Sequence, residues 1–202
     1  MKIGIYGGTF DPPHNGHVNA CKSFVNAIQM DKLYVIPTSI PPHKQRESSV
    51  SGDDRYEMAR LAFSEISDKI ELSRIELERS GKSYTADTLR YFKAQGAKEI
   101  FLLCGTDMLV TLDEWYDFEY IFRSATIVYI RRESDQYYDS LIQTKIQEFR
   151  ALYGAKILEI VADVIELSSS DIRNGIDDPK IKELIPISVY EFIMERGLYK
   201  ND

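Results

Sequence analysis

Two imidazoles three residues apart, His14 and His17, follow a glycine pair within one short segment, Gly7-Gly8-Thr9-Phe10-Asp11-Pro12-Pro13-His14-Asn15-Gly16-His17. That combination suits an anion. Gly7 and Gly8 carry no side chain, so a phosphate can reach the backbone there. Thr9 adds a hydroxyl donor. Val18, Cys21, Phe24, Val25 and Ile28 recur at helical spacing, which predicts a helix from about Asn15 to Gln29. Its unpaired first N–H groups and the positive end of its dipole then point at the same space. Gly16 in the first turn lets a ligand such as a flat base or a ribose come close. His14 and His17, across the helix start, can face one anion. With Asp11 the same histidines could instead form a metal site, or serve only as caps. A metal has the weaker case, because the three ligands would come from one tight loop with no second cluster elsewhere. Spacing and residue type leave catalysis and metal binding both open.

Familiar phosphate loops do not describe this segment. Gly4-Ile5-Tyr6-Gly7-Gly8-Thr9 is not G-x-G-x-x-G, so a dinucleotide-binding oxidoreductase gains little support. Gly81-Lys82-Ser83 has the ending of a P-loop, but Glu76 stands where that motif requires glycine, and the match fails.

The elements that must position these residues alternate between strand and helix. Ile3 to Tyr6 predicts a short apolar strand before the glycines, and Leu33 to Ile36 the next one, stopped by Pro37. With the helix between them they form a βαβ unit of a parallel sheet. Pro41-Pro42-His43-Lys44 onward to Gly52 is polar and rich in breakers, which predicts an exposed loop. A helix follows from about Asp54 to Ile66, with Met58, Leu61, Ala62 and Glu65 spaced on one face. A brief strand at Ile70 to Leu72 and a helix from Thr85 to Gln95, stopped by Gly96, come next. Ile100 to Cys104 is the most apolar run and predicts a central strand, with another at Ala125 to Ile130. Leu141 to Tyr153 reads as helix, Ile157 to Leu167 as one or two strands, with a short helix after Ser170 and a last one near Ile187 to Arg196, capped by Gly197. This order predicts an α/β chain with a Rossmann-like, doubly wound, open parallel sheet. No repeat or linker divides it, so residues 1–202 are expected to form one domain. In such sheets ligands bind beyond the carboxyl ends of the strands, where the Gly7 to Asn15 loop lies.

Composition narrows the partners. The chain has 202 residues, 44% hydrophobic and 28% charged, ordinary proportions for a soluble globular protein. Its 25 basic and 32 acidic residues give −7 with His neutral, which disfavours nucleic acid or an anionic membrane as partner. A small anionic ligand needs only a local cluster of donors. The two cysteines, Cys21 and Cys104, form no CxxC pair and are expected to be free thiols in a reducing cytoplasm. Neither a secretory leader nor an apolar stretch of membrane-spanning length is evident. A homo-oligomer is left open.

The segment from Gly8 to His17 resembles the signature of the HxGH nucleotidylyltransferase superfamily, and its Gly-Gly-Thr-Phe-Asp-Pro variant resembles the bacterial nicotinate-mononucleotide adenylyltransferases. A second signature lies near the far end. Leu167-Ser168-Ser169-Ser170-Asp171-Ile172-Arg173 is similar to the family's I-S-S-T-x-I-R, with Leu for Ile and Ser170 for Thr. Pro41-Pro42-His43-Lys44, Ser83-Tyr84-Thr85-Ala86-Asp87-Thr88-Leu89, and Gly105-Thr106-Asp107 followed by Trp115-Tyr116 also fit, in the family's order. One loop departs: Arg131-Arg132-Glu133-Ser134 stands where the family often has Arg-Pro-Gly.

The resemblance implies transfer of AMP from ATP to nicotinate mononucleotide, with Mg²⁺ accompanying ATP and no dedicated protein metal site. It implies that His14, His17 and Arg173 act on the triphosphate. Gly7, Gly8, Thr9, Phe10, Gly16, Ser169, Ser170 and Ile172 would surround ATP, with Lys44 from the Pro41 loop and Gly105 and Asp107 from the central strand's end. Trp115 would stack on the pyridine ring, and the backbone near Tyr84, Thr85 and Tyr116 would receive the nicotinate carboxylate. Two broader outcomes are weighed beside it: a sister transferase acting on nicotinamide mononucleotide or phosphopantetheine, and a nucleotide-binding regulator without turnover. A metal-dependent hydrolase using His14 and His17 is a further rival.

Overall fold

Six parallel strands lie side by side in the order β3-β2-β1-β4-β5-β6: β1 is Lys2–Gly8, β2 Lys32–Pro37, β3 Ile70–Leu72, β4 Glu99–Gly105, β5 Thr126–Ile130 and β6 Lys156–Ile160. This is a computed structural model, and it describes residues 1–41, 50–131, 136–162, 165 and 167–200. The helices between and after the strands are α1 (Asn15–Ala27), α2 (Gly52–Phe63), α3 (Ile75–Glu78), α4 (Thr85–Ala94), α5 (Thr106–Val110), α6 (Phe118–Ser124), α7 (Gln136–Tyr153), α8 (Ser169–Asn174) and α9 (Ile187–Arg196). Tight 3₁₀ turns cover Leu112–Glu114 and Pro179–Glu183.

Strand alternation splits the core in two. Successive side chains of a strand point to opposite faces. Ile3 and Ile5 of β1 pack with Leu89, Phe92, Ile121, Phe122 and Phe149 from α4, α6 and α7. Tyr6 of the same strand packs on the other face with Phe24, Met58, Phe63, Val189 and Ile193 from α1, α2 and α9. A parallel sheet covered on both faces needs such continuous apolar strands. The chain winds from β1 outward to β3, then crosses back to β4 beside β1. That reversal opens a crevice above Gly7-Gly8 and Gly105, the carboxyl ends of β1 and β4.

The expected doubly wound sheet is therefore the observed one, and the region from Ile157 to Leu167 contributes one described strand. Two details differ from expectation. The buried residues of α2 are Arg55, Met58, Ala59, Ala62 and Phe63, whereas Leu61 is half-buried and Glu65 exposed. The helix runs from Gly52, behind the Ser51 cap, to Phe63, so Glu65 lies beyond its end rather than on its buried face. The short helices α3, α5 and α6 had no forecast, since fewer than two helical turns leave too little periodicity to read. Among the described residues no helix is long and apolar enough to cross a membrane.

Candidate active site

The loop after β1 is held by its backbone carbonyls. Arg55 is fully buried, and its Nη1 donates to the carbonyls of Thr9 at 2.8 Å and Thr38 at 2.7 Å. Arg173 Nη1 donates to the Asp11 carbonyl at 2.9 Å, and Ser169 Oγ to the Pro12 carbonyl at 2.8 Å. Tyr199, beyond α9, donates its hydroxyl to Asp11 Oδ1 at 2.8 Å. Burial, with the Asp11 charge beside it, pushes the Tyr199 hydroxyl above its ordinary range. Asp11 thus serves as an acceptor inside the fold. Its peptide bond to Pro12 is cis, and Phe10 before it has a φ of 49°.

His14 caps α1 and is buried, with 4% of its surface exposed, while His17 is half-buried. Their ring centroids lie 3.7 Å apart, so the spacing does bring both imidazoles to one spot. The His14 backbone N–H donates to His17 Nδ1 at 3.2 Å. An accepting Nδ1 leaves Nε2 to carry the hydrogen of a neutral ring. His17 is therefore poised as an Nε2–H donor.

Several predicted contacts have a different physical basis from the one expected. A Cβ on Gly8 would meet the Phe10 ring at 2.8 Å, so this glycine makes room for Phe10. The Phe10 side chain is itself core, edge-on to Tyr6, Phe63 and His17. Gly7 does face open space. A Cβ on Gly16 would lie 3.0 Å from His14 Nδ1 and 3.2 Å from the Ile165 carbonyl, so the space it leaves is filled by protein rather than kept for a base. Ile172 is fully buried in the core, which confines any ligand contact there to its backbone.

The second signature opens α8. Ser168 is the cap: its Oγ accepts from the Asp171 N–H at 3.0 Å, and its own N–H donates to Asp171 Oδ2. Ser169 spends its hydroxyl proton on Pro12, and Ser170 Oγ accepts from Arg173 Nη2 at 3.0 Å. Both signatures therefore form one interlocked unit.

Across the crevice, β4 ends at Gly105, and Asp107 is exposed in the first turn of α5. Trp115 follows the 3₁₀ turn in extended conformation, half-buried against the core that holds Phe118. Tyr116 is 54% exposed. Its ring meets that of Tyr84, the residue capping α4, at 4.6 Å. Arg90 of α4 pairs with Asp87 at 2.9 Å and with Asp117. The predicted acceptor residues Tyr84, Thr85 and Tyr116 are thus brought together from two segments. Lys44, Pro42 and His43 lie outside the described residues, as do Arg132, Glu133 and Ser134 of the departing loop. Among the described residues no group of three or more His, Cys, Asp or Glu is placed to hold a metal ion.

Sequence reading missed Arg55, Glu76 and Tyr199. A charged residue in a helix and a tyrosine near the end of the chain carry no local signal of burial; only their partners, far away in sequence, give them their roles.

Comparison with known proteins agrees with this geometry. A model of the family described as cytidylyltransferase-like matches residues 5–175. A curated protein of Caldicellulosiruptor saccharolyticus, named a probable nicotinate-nucleotide adenylyltransferase, is 33% identical over 202 residues, covering 100% of both chains. One of the same name from Exiguobacterium sibiricum is 35% identical over 201 residues, covering 98% of this chain and 99% of its own. The solved Plasmodium falciparum nicotinic acid mononucleotide adenylyltransferase complexed with NaAD superposes with a TM-score of 0.80 at 20% identity, covering 100% of this chain and 98% of the other. Matched from β1 to the residue after α8, and alike along its whole length to relatives a third identical, the chain belongs to the cytidylyltransferase-like family, among the nicotinate-nucleotide adenylyltransferases.

Proposed function

We propose that this chain transfers the AMP moiety of ATP to nicotinate mononucleotide, forming nicotinate adenine dinucleotide and pyrophosphate, a step of NAD biosynthesis. The observation that carries this reading is the full-length likeness to relatives of that name. The interlocked signatures at the switch point support it. An oxygen of the acceptor's phosphate attacks the α-phosphorus of ATP. The new O–P bond forms as the bond from that phosphorus to the bridging oxygen breaks, and pyrophosphate leaves with the electron pair. The nucleophile is an anion at neutral pH, so no strong general base is needed. Positioning and charge neutralisation do the catalysis.

In this reading His17 offers Nε2–H to a phosphate oxygen as charge grows on the leaving group. His14, packed against it, holds that ring in place and lends its own polarity. The five N–H donors of Arg173 suit it to grip the Asp11 loop and the β- and γ-phosphates together. The backbone of Gly7 and the first turn of α8 line the triphosphate, and the charge of Lys44 would help to neutralise it. Mg²⁺ would enter with ATP as part of the substrate and would supply charge neutralisation on the triphosphate. Gly105 and Asp107 meet the nucleotide, Asp107 as acceptor for a ribose hydroxyl. Trp115 stacks on the pyridine ring, and the N–H groups of Thr85 and Tyr116 receive the carboxylate. A carboxylate satisfies two donors, whereas an amide turns its own N–H₂ toward one of them. A cytoplasmic setting fits the two buried free thiols; burial pushes Cys21 up to about 12, which keeps it protonated and inert.

The test is pyrophosphate release with ATP and Mg²⁺, run against nicotinate mononucleotide, nicotinamide mononucleotide and phosphopantetheine. The acid is expected to exceed its amide in kcat/KM by roughly 10- to 100-fold, the worth of one or two hydrogen bonds to a charged group. Equal rates with acid and amide would remove the specificity assignment. No turnover with any acceptor would overturn the reading.

A further inference from the structure

Glu76 carries a carboxyl that the chemistry above does not use. It lies in α3 and is 7% exposed. An isolated carboxylate in that position would be costly unless hydrogen-bonded. Thr88 Oγ1 donates to Glu76 Oε1 at 2.7 Å, and the side chains of Ser83 and Thr38 lie near the carboxyl. Burial pushes Glu76 above the usual carboxylate range, with these hydroxyls and the charge of Arg79 pulling the other way.

The three hydroxyls come from places that the chain alone does not join. Thr38 follows β2, Ser83 precedes α4, and Thr88 sits one turn into α4. Ser83 is tied twice more to the end of β2. Its Oγ accepts from the Ser39 N–H at 3.0 Å, and its N–H donates to the Ile40 carbonyl at 2.9 Å. Arg79 Nη2 reaches the Tyr84 carbonyl at 3.4 Å. The turn Ser83-Tyr84-Thr85 is thereby stitched to the sheet around Glu76. On the far side, the Thr38 carbonyl shares Arg55 Nη1 with the Thr9 carbonyl. Arg55 thus braces the loop after β1 against the end of β2, while Ser83 and Thr88 tie the start of α4 to the residues after β2 and to Glu76.

We propose that Glu76 is a positioning residue for the acceptor: by taking the Thr88 hydroxyl beside the Ser83 turn it fixes the N-terminus of α4, where the Thr85 N–H meets the acceptor's carboxylate. This rests on the reading of Thr85 given above. The first N–H groups of a helix have no partner within it, and a carboxylate on them is held well only if the helix start does not shift. Glu76 itself touches no substrate. Arg55 holds the loop after β1 independently of Glu76, so the ATP side should not feel the loss.

The experiment measures KM for each substrate separately in the full chain. Glu76→Ala should raise the KM for nicotinate mononucleotide about tenfold, as expected for one well-placed hydrogen-bonding contact. The KM for ATP should stay within about twofold. Glu76→Gln keeps an oxygen that accepts from Thr88 and should recover most of the loss. If Glu76→Ala does not fold, Thr88→Val decides, because it removes only the hydroxyl that links Glu76 to α4. A selective rise in acceptor KM in that variant supports the proposal. An unchanged acceptor KM, or an equal rise for both substrates, overturns it. Wild-type turnover of nicotinate mononucleotide is the separate check on the underlying reading. If the wild type fails, that reading falls; if it succeeds and the variants show no selectivity, only the role of Glu76 falls.

Discussion

The two sides of the crevice are built on different physical plans. On the β1 side, the carbonyls of Thr9, Asp11 and Pro12 are taken by Arg55, Arg173 and Ser169, and Tyr199 takes the Asp11 carboxylate. Three of these four partners lie more than 150 residues away in sequence. On the acceptor side, Tyr84 and Tyr116 meet ring to ring at the surface, and Arg90 joins Asp87 and Asp117. Tyr116 is more than half exposed. The first side is preorganised, as its proposed role toward a developing charge requires, since reorganisation during reaction would waste the effect. The second side is held mainly from beneath, through Glu76 and Ser83, and leaves the Tyr116 ring exposed at the surface.

The largest expected effect comes from cutting the preorganised side at the donor proposed to face the phosphates. His17→Ala removes the Nε2–H and should lower kcat on the order of 10²–10³-fold, with a smaller change in the KM for ATP. Steady-state kinetics with ATP varied provide the measurement. A normal kcat would remove His17 from the chemistry and leave the interlocked loop with a binding role alone.

Next comes the open side. Trp115→Ala should raise the KM for nicotinate mononucleotide about tenfold or more, in the range that loss of ring stacking costs, and leave the KM for ATP nearly unchanged. Trp115 is half-buried against the core beside Phe118, so a packing role makes a contrasting forecast. A fall in melting temperature with both KM values unaltered would assign it to the core, and the contrast between the two sides would then rest on Tyr84, Thr85 and Tyr116.

The same contrast explains what could be read from the sequence. The sheet was legible because its apolar runs are continuous and its turns are marked by Gly7-Gly8, Pro37 and Gly96. The segments proposed to hold the phosphates stand out because His14, His17 and Arg173 sit in short signatures. What escaped was the bracing. Arg55 opens the buried stripe of α2, ahead of Met58 and Ala59, and a charge there reads as solvated until the carbonyls of Thr9 and Thr38 are known to face it. Glu76 looked like a failed P-loop position, and nothing local connects it to Thr38. The glycines misled in a related way. Gly8 and Gly16 read as space left for a ligand, yet Phe10 and His14 occupy that space.

The smallest effect tests whether the β1 side is braced by its far-sequence partners. Tyr199→Phe keeps the ring and removes the bond to the buried Asp11 carboxylate, and it should cost about 1.5 kcal/mol at neutral pH by chemical denaturation. The size of that gap should itself depend on pH. Burial and the Asp11 charge raise the Tyr199 hydroxyl above its ordinary value of 10.0 in the folded state. Its stabilising contribution is therefore complete below the unfolded value and declines as pH rises past it, because the unfolded chain releases the proton while the folded one retains it. Above pH ~10 the wild type should lose stability relative to Tyr199→Phe, by at most about 1.4 kcal/mol per pH unit from this one group. Every other ionising side chain is common to both proteins and cancels in the difference. A gap that narrows above pH ~10 locates the brace at the Tyr199–Asp11 bond. No gap at any pH would mean that the ring's packing against Met58 and its neighbours, rather than the hydroxyl, ties this end of the chain to the loop.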